Sequence, residues 1–271
     1  MKTVKQTVII LLIVLLVANI GSYFYLGLSD RSDGPKISCP EGVLDVHTTD
    51  SESVLLQGVT AKDDQDGDIS NQVIIGGISK LISSNTAKVT YLVFDSDDNM
   101  ASHVRYIRYV DYHRPTFEVT EPLVYASSEE VVMLPRLKAI DVVDGDISQQ
   151  IRVSTLAATE DPEVFDITLQ VTNTMGDTVS QVLPVIQLSG SSALTRPQVL
   201  LKDYLIYLET GASFSAKSYL AGVKTAGGTA SVSDVEIDGT VDTDTPGTYM
   251  VRYTYPDAAG HGVAILTVVV E

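Results

Sequence analysis

The chain has 271 residues, of which 44% are hydrophobic and 20% charged, a composition typical of a folded protein with two or three domains. Its 35 acidic and 18 basic residues give a formal net charge of −17. Because so acidic a body repels phosphate backbones, we exclude nucleic acid as a partner.

An uncharged apolar stretch of 21 residues runs from Val8 to Leu28, with Lys2 and Lys5 before it. A helix of this length covers the hydrocarbon layer of a bilayer, which is roughly 30 Å thick. The positive end stays in the cytoplasm. We therefore predict a cytoplasmic stub (1–7), a transmembrane signal anchor (8–28) and a linker (29–34). The resulting protein is a single-pass type II membrane protein whose C-terminal body is extracellular.

Two other interpretations of this stretch stay open. A cleaved secretory signal peptide shares the positive end and the apolar core, although the stretch is longer than usual and lacks a clear cleavage site. A type IV pilin leader would need a glutamate shortly inside the stretch, and none is present.

The single cysteine, Cys39, cannot form an intramolecular disulfide, so the domains must be held by their cores. Lys36, Ile37 and Ser38 precede it, and this context disfavours lipid attachment. A free or intermolecular thiol is the favoured state.

A five-residue sequence, Asp66 to Ser70, recurs as Asp144 to Ser148, an offset of 78 residues from 66 to 144. The same offset relates Tyr91, Val93 and Asp95 to Leu169, Val171 and Asn173. A repeat on this scale indicates a duplicated folding unit.

Alternating apolar and polar residues, as at Val89, Tyr91 and Val93, predict half-buried strands, and no sustained helical period follows residue 28. Prolines at 35, 115 and 197 each stand two residues before an apolar strand opener and mark domain starts. The fold class is therefore all-β, in three successive units.

The third unit lacks the pentapeptide and has Ala226 to Thr229 in its place. Pro246 and Gly247 predict a type II turn in which Gly247 takes a positive φ. In the strand that follows, one face carries residues that we interpret as core and sheet-face side chains rather than a sugar-stacking platform: Tyr249, Val251, Tyr253 and Tyr255.

These motifs resemble the tandem immunoglobulin-like domains of bacterial surface proteins, including HYR-like repeats and those of some pesticidal crystal proteins. The resemblance rests on the D-G-D-I sequences together with the turns at Asp95–Asn99, Asn173–Asp177 and Asp257–His261. It implies three tandem immunoglobulin-like β-sandwiches after one transmembrane helix, at 35–112, 113–188 and 189–271, the last being divergent. Such domains serve as spacers, adhesins and enzyme appendages alike.

Clustered carboxylates are the only candidate ligands for a metal. Calcium could bind the first repeat through oxygens of Asp63, Asp64, Asp66, Asp68, Asp95, Asp97 and Asp98, since it takes six to eight oxygens. The favoured interpretation is instead that these aspartates accept hydrogen bonds from local backbone N–H groups, while Gly67 and Gly145 supply the unusual φ. We therefore predict no metal or cofactor site.

Catalysis is not expected. The histidines at 47, 103, 113 and 261 are scattered, and no H-E-x-x-H or G-x-S-x-G sequence occurs. We predict no catalytic residues, and the protein is not expected to be an enzyme.

Two functions remain open. One is an adhesion module that binds an extracellular protein or carbohydrate through its divergent third unit. The other is a structural spacer or accessory subunit of a cell-envelope assembly, with calcium as a conceivable stiffener. The Gly- and Ser-containing junction at Ser189 to Ser192 predicts a mobile third domain behind a stiffer first pair.

Overall fold

The structure is a computed structural model that describes residues 11–22, 34–126, 131–189, 195–257 and 260–271. Helix α1 covers residues 11–22. In the described parts of the chain, no helix has both the length and the apolar character required to cross a membrane. The predicted anchor at 8–28 is described only in part, and the predicted stub at 1–7 and nearly all of the linker at 29–34 lie outside the described residues.

The chain divides into two compact units, Met1–Asp111 and Tyr112–Glu271. The first unit contains one β-sandwich, whose sheets have the strand orders β1-β3-β4 and β2-β7-β6-β5. Its elements are β1 (Lys36–Ser38), β2 (Leu44–Val46), α2 (Glu52–Leu55), β3 (Thr60–Asp63), β4 (Gly67–Asp68), β5 (Ile74–Ile78), β6 (Thr86–Phe94) and β7 (Met100–Tyr109).

The second unit contains two further sandwiches. The second sandwich has β8 (Thr116–Val119), β9 (Val124–Ala126), β10 (Leu137–Asp141), β11 (Gly145–Asp146), β12 (Arg152–Ala158), β13 (Val164–Thr172) and β14 (Thr178–Leu188). The third has β15 (Gln198–Leu201), β16 (Leu205–Leu208), α3 (Ala216–Tyr219), β17 (Leu220–Thr225), β18 (Gly228–Ala230), β19 (Glu236–Asp238), β20 (Gly247–Tyr255) and β21 (Gly262–Val270).

All three sandwiches have the same topology. Each pairs a three-stranded sheet with a four-stranded sheet, and in each the last long strand runs parallel to a short second strand, as β7 does to β2. The all-β prediction is confirmed. Ala226 to Thr229 lies in the hairpin of β17 and β18, which corresponds to the hairpin of β3 and β4 that carries the pentapeptide.

The cores follow the predicted alternation. On β6 the inward residues Ala87, Val89, Tyr91 and Val93 are fully buried. The Tyr91 hydroxyl donates to the carbonyl of Leu55 at 2.6 Å and so ties the short helix α2 to the sheet. In the third sandwich the Tyr253 hydroxyl donates to the carbonyl of Ala216 in the short helix α3, at 2.7 Å.

The predicted turn at Pro246 and Gly247 is wrong. Gly247 is not among the glycines with positive φ and already belongs to β20. The chain turns earlier because the Asp242 carboxylate accepts hydrogen bonds from the Asp244 N–H at 3.1 Å and the Thr245 hydroxyl at 2.8 Å. An Asx turn of this kind competes with the Pro-Gly signal.

The second and third sandwiches pack against each other inside the second unit. Leu205 of β16 belongs to the core cluster of the second sandwich, and Val263 of β21 packs with Val164 and Ile186. The N–H of Phe117 donates to the Tyr207 hydroxyl at 3.0 Å.

Two ion pairs accompany this packing, Arg252 with Asp161 at 2.6 Å and Arg196 with Glu163 at 2.9 Å. The packing contradicts the prediction of a mobile third domain. That prediction used the composition of the junction, of which residues 190–194 lie outside the described residues, and it took no account of the apolar outer faces of the two sheets.

Candidate functional site

The acidic hairpin of β3 and β4 in the first sandwich is held by hydrogen bonds to its aspartate side chains. Asp63, at the end of β3, accepts hydrogen bonds through Oδ1 from the N–H groups of Gln65 and Asp66, at 2.8 and 2.9 Å. Asp66 accepts from the N–H and the hydroxyl of Ser96, both at 2.7 Å, and so ties the hairpin to the loop after β6. Gly67 has a φ of 77°, which a side chain would strain.

Asp68 and Asp95 also accept local hydrogen bonds. Asp68 Oδ1 accepts from the N–H and hydroxyl of Ser70, at 3.0 and 2.5 Å. These bonds hold the pKa of Asp68 below its usual value. Asp95 Oδ1 accepts from the N–H groups of Asp97 and Asn99, at 2.9 and 2.8 Å. For Asp63, Asp68 and Asp95, the expectation that these side chains accept hydrogen bonds from local backbone N–H groups is therefore confirmed.

The second sandwich repeats these bonds at the predicted offset. Asp141 Oδ1 accepts from the N–H groups of Val143 and Asp144, both at 2.9 Å. Asp144 accepts from the N–H and hydroxyl of Thr174, at 2.6 and 2.5 Å. Gly145 has a φ of 70°.

The two sandwiches have chemically different side chains at one position of the repeat. Asn173 stands where the first sandwich has Asp95, and its amide Nδ2 donates at 2.9 Å both to Asp141 Oδ2 and to the Tyr112 hydroxyl. Desolvation by burial, with the neighbouring acids Asp177 and Asp141 adding to it, raises the pKa of Tyr112 to about 12.

Within the described residues, no group of three or more His, Cys, Asp or Glu side chains is arranged to hold a metal ion. The seven aspartates named as calcium ligands are thus not assembled into one cluster of that kind. His47 pairs with Asp111 at 3.5 Å. Cys39 is half-buried and free.

The outer face of the four-stranded sheet in the first sandwich carries a patch of exposed apolar side chains. Strand pairing brings Phe94 beside Met100 and sets Val104 opposite Thr90. Ile74 lies opposite Leu92, and Tyr106 lies beneath the ammonium group of Lys88, which is 5.5 Å from the ring centroid. We call this patch the outer apolar face and define it as Ile74, Phe94, Met100, Val104 and Tyr106, which are between 43% and 58% exposed.

The corresponding face of the third sandwich is covered. Arg252 and Ile265 are paired across β20 and β21 in the way that Thr90 and Val104 are paired across β6 and β7. In the third sandwich this face packs on the second sandwich, with Val263 and Thr267 buried. The same sheet face thus serves as a protein contact in the second unit.

In the described part of the third sandwich, Val232 is the only large apolar residue that is exposed. The adhesion hypothesis places binding on the divergent third unit, and the described part of that unit shows no exposed apolar patch that would favour it. The signal for the first sandwich was present in the sequence, because Tyr91, Leu92, Val93 and Phe94 are apolar on both faces of one strand, a pattern typical of strands covered on both sides.

No curated protein sequence matches the chain. Among solved structures, CBM51-2 with the INT domains of Clostridium perfringens ZmpB, in complex with GlcNAc, is similar at 17% identity and a TM-score of 0.23. The match covers 54% of this chain and 26% of that one. The ZmpB M60 catalytic domain with its CBM51-1 and CBM51-2 domains is similar at 10% identity and a TM-score of 0.24, over 87% of this chain and 30% of that one.

The lipoprotein BT2262 of Bacteroides thetaiotaomicron is similar at 11% identity and a TM-score of 0.21, over 86% of this chain and 98% of that one. The chain thus spans about a quarter to a third of the two ZmpB structures. A family model matches in the third sandwich, the one without the pentapeptide: residues 200–269 match the family described as bacterial surface protein, Ig-like domain.

Proposed function

We propose that the chain is a membrane-anchored extracellular protein of the bacterial surface that binds another protein through the outer apolar face of its first sandwich. The observation that carries this proposal is the exposure of that face. Contiguous exposed apolar patches with polar surroundings mark interaction sites in soluble domains. The family match at 200–269 supports a location on the bacterial surface.

A protein partner fits this face better than a carbohydrate. Three of its five side chains are aliphatic, and they lie on an open sheet rather than in a cleft lined by aromatic rings. The equivalent face of the third sandwich packs on another β-sandwich.

The alternative function is that of a spacer or accessory subunit of an envelope assembly with no ligand of its own. The net charge of −17 and the shared packing of the second and third sandwiches favour it. The finer likeness of the first two sandwiches to HYR-like or crystal-protein repeats also stays a proposal.

A photo-crosslinking amino acid in place of Val104, in the full chain on intact cells, tests the binding function. We expect one discrete cross-linked protein, because Val104 lies in the middle of the outer apolar face. Val43, which is 52% exposed and lies outside that face, is the matched control position and should give none.

With the crosslinker at Met100, Val104→Lys should abolish the product. It should leave stability within about 0.5 kcal/mol, since the site is exposed. If no cross-linked product forms at position 104 or at position 100, or if positions 104 and 43 give equal amounts, the spacer function is favoured instead.

The anchor is proposed from the uncharged stretch Val8 to Leu28 and the lysines before it. Deletion of residues 8–28 should move the chain from the membrane fraction to the soluble fraction. Protease added to intact cells, with the outer membrane opened where one exists, should cut the C-terminal body of the full chain. A mature N-terminus beyond residue 28 would show instead that the stretch is a cleaved signal peptide.

A further inference from the structure

The acidic hairpins of the first and second sandwiches have matching hydrogen bonds and differ at one buried position. In both, the first aspartate accepts two backbone N–H groups through Oδ1. In both, the side chain at 95 or 173 accepts the N–H four residues on, at 2.8 Å for Asn99 and 2.9 Å for Asp177. By this correspondence the second oxygen of Asp63 is placed toward Asp95, as Asp141 Oδ2 lies against Asn173 Nδ2 in the second sandwich.

In the second sandwich the contact between these two side chains is a hydrogen bond, which Asn173 Nδ2 donates to Asp141 Oδ2. In the first sandwich an oxygen of Asp95 replaces the NH₂ group, so no donor is available at that point. Asp63 Oδ2 is accordingly buried without a hydrogen-bond partner among the described residues. The two carboxyl groups are 7% and 8% exposed.

Both carboxyl groups are held as acceptors. Asp63 accepts two backbone N–H groups, and Asp95 accepts two backbone N–H groups and the Asn99 amide at 2.8 Å.

A buried carboxylate oxygen without a hydrogen-bond partner is costly to desolvate, and a bound cation offsets that cost. From the unpartnered Asp63 oxygen opposite Asp95 we infer that the first sandwich binds one calcium ion between Asp63 and Asp95, and that the second sandwich, with Asn173, binds none. The ion bridges Asp63 Oδ2 and Asp95 Oδ2, and water completes its shell of six to eight oxygens.

Two carboxylates make a weak site, since tighter calcium sites have more charged ligands. A dissociation constant on the order of 10⁻³ M follows, the range of extracellular modules. The site is thus smaller than the seven-aspartate set considered from the sequence, because only Asp63 and Asp95 of that set bind the ion.

The test is thermal unfolding of the full chain in detergent, followed by the methyl NMR signal of Met100, which reports on the first unit. Because ligand binding to the folded state raises its stability, about 10 mM calcium chloride should raise the midpoint by about 5 °C over chelator. Magnesium chloride at the same ionic strength separates site binding from general screening of the acidic surface.

Asp95→Asn recreates the second-sandwich arrangement and should fold, with a midpoint that calcium no longer changes beyond the magnesium control. Asp97→Asn removes one charge from the same turn and should keep the full calcium response. A wild-type midpoint with no calcium response would overturn the site and indicate a shared proton, and so would an Asp95→Asn midpoint that still responds to calcium.

Discussion

At the level of single residues, a partly buried ion pair lies beside the junction of the two sandwiches of the second unit. The Glu163 carboxylate accepts from Arg196 at 2.9 and 3.1 Å and from the N–H and hydroxyl of Ser189 at 2.8 and 2.6 Å. The hydrogen bond from Arg196 is the main cause that lowers the pKa of Glu163 to about 2, with burial opposing it. This contact fixes the two ends of the junction.

Glu163→Gln should destabilise the second unit at pH 7 by about 3 kcal/mol, because a pKa lowered from 4.5 to about 2 corresponds to roughly that free energy. The depressed pKa means that this stabilisation is complete above about pH 4.5 and is lost as the pH falls toward 2. Urea unfolding at pH 7 and pH 3 measures it, and the gap between wild type and variant should narrow at pH 3.

Glu160→Gln, at an exposed position of the same loop, is the control and should change stability by less than about 0.5 kcal/mol. A gap between wild type and Glu163→Gln that stays constant with pH would contradict the assigned role of the carboxylate.

At the level of elements, one sheet face serves two purposes. On β20 and β21 it packs on the neighbouring sandwich, and on β6 and β7 it stays exposed. Strand β16 contributes to the same packing, because its residue Leu205 is 8% exposed within the core cluster of the second sandwich. Leu205 belongs to a strand of the third sandwich but packs in the core of the second, and it therefore joins the two sandwiches.

Leu205→Ala should cost about 2–4 kcal/mol, as expected for a leucine removed from a packed core. Leu156→Ala, at a position 68% exposed on β12, is the control and should cost little. Chemical denaturation followed by circular dichroism compares them. Equal effects of the two substitutions would mean that the contact between the sandwiches adds no stability.

At the level of the whole molecule, the contacts divide the chain into two units, and the second unit contains two sandwiches. The second and third sandwiches share apolar clusters, two ion pairs and a hydrogen bond. A shared core couples the unfolding of its parts.

The methyl NMR signals of Met175 in the second sandwich and Met250 in the third should therefore disappear at the same temperature. Ile265→Lys, which puts a charge into their contact, should separate the two midpoints. Independent melting of Met175 and Met250 in the wild type would show that the contact does not couple them.

The sequence by itself determined the repeated unit and its local structure. Strand alternation such as Ala87 to Val93 depends on neighbours along the chain, and so do the turns of Asp66 and Asp144, whose glycines need a positive φ. Local rules failed only where two local signals competed, as at Asp242 and Gly247.

The tertiary structure decided what depends on residues far apart in the chain. The composition of the Ser189 junction could not show that Leu205 enters another sandwich, because packing depends on which apolar faces meet. Nor could the count of aspartates show which carboxylates face each other. Only the fold sets Asp141 against Asn173, and only the fold leaves the buried Asp63 oxygen without a hydrogen-bond partner among the described residues.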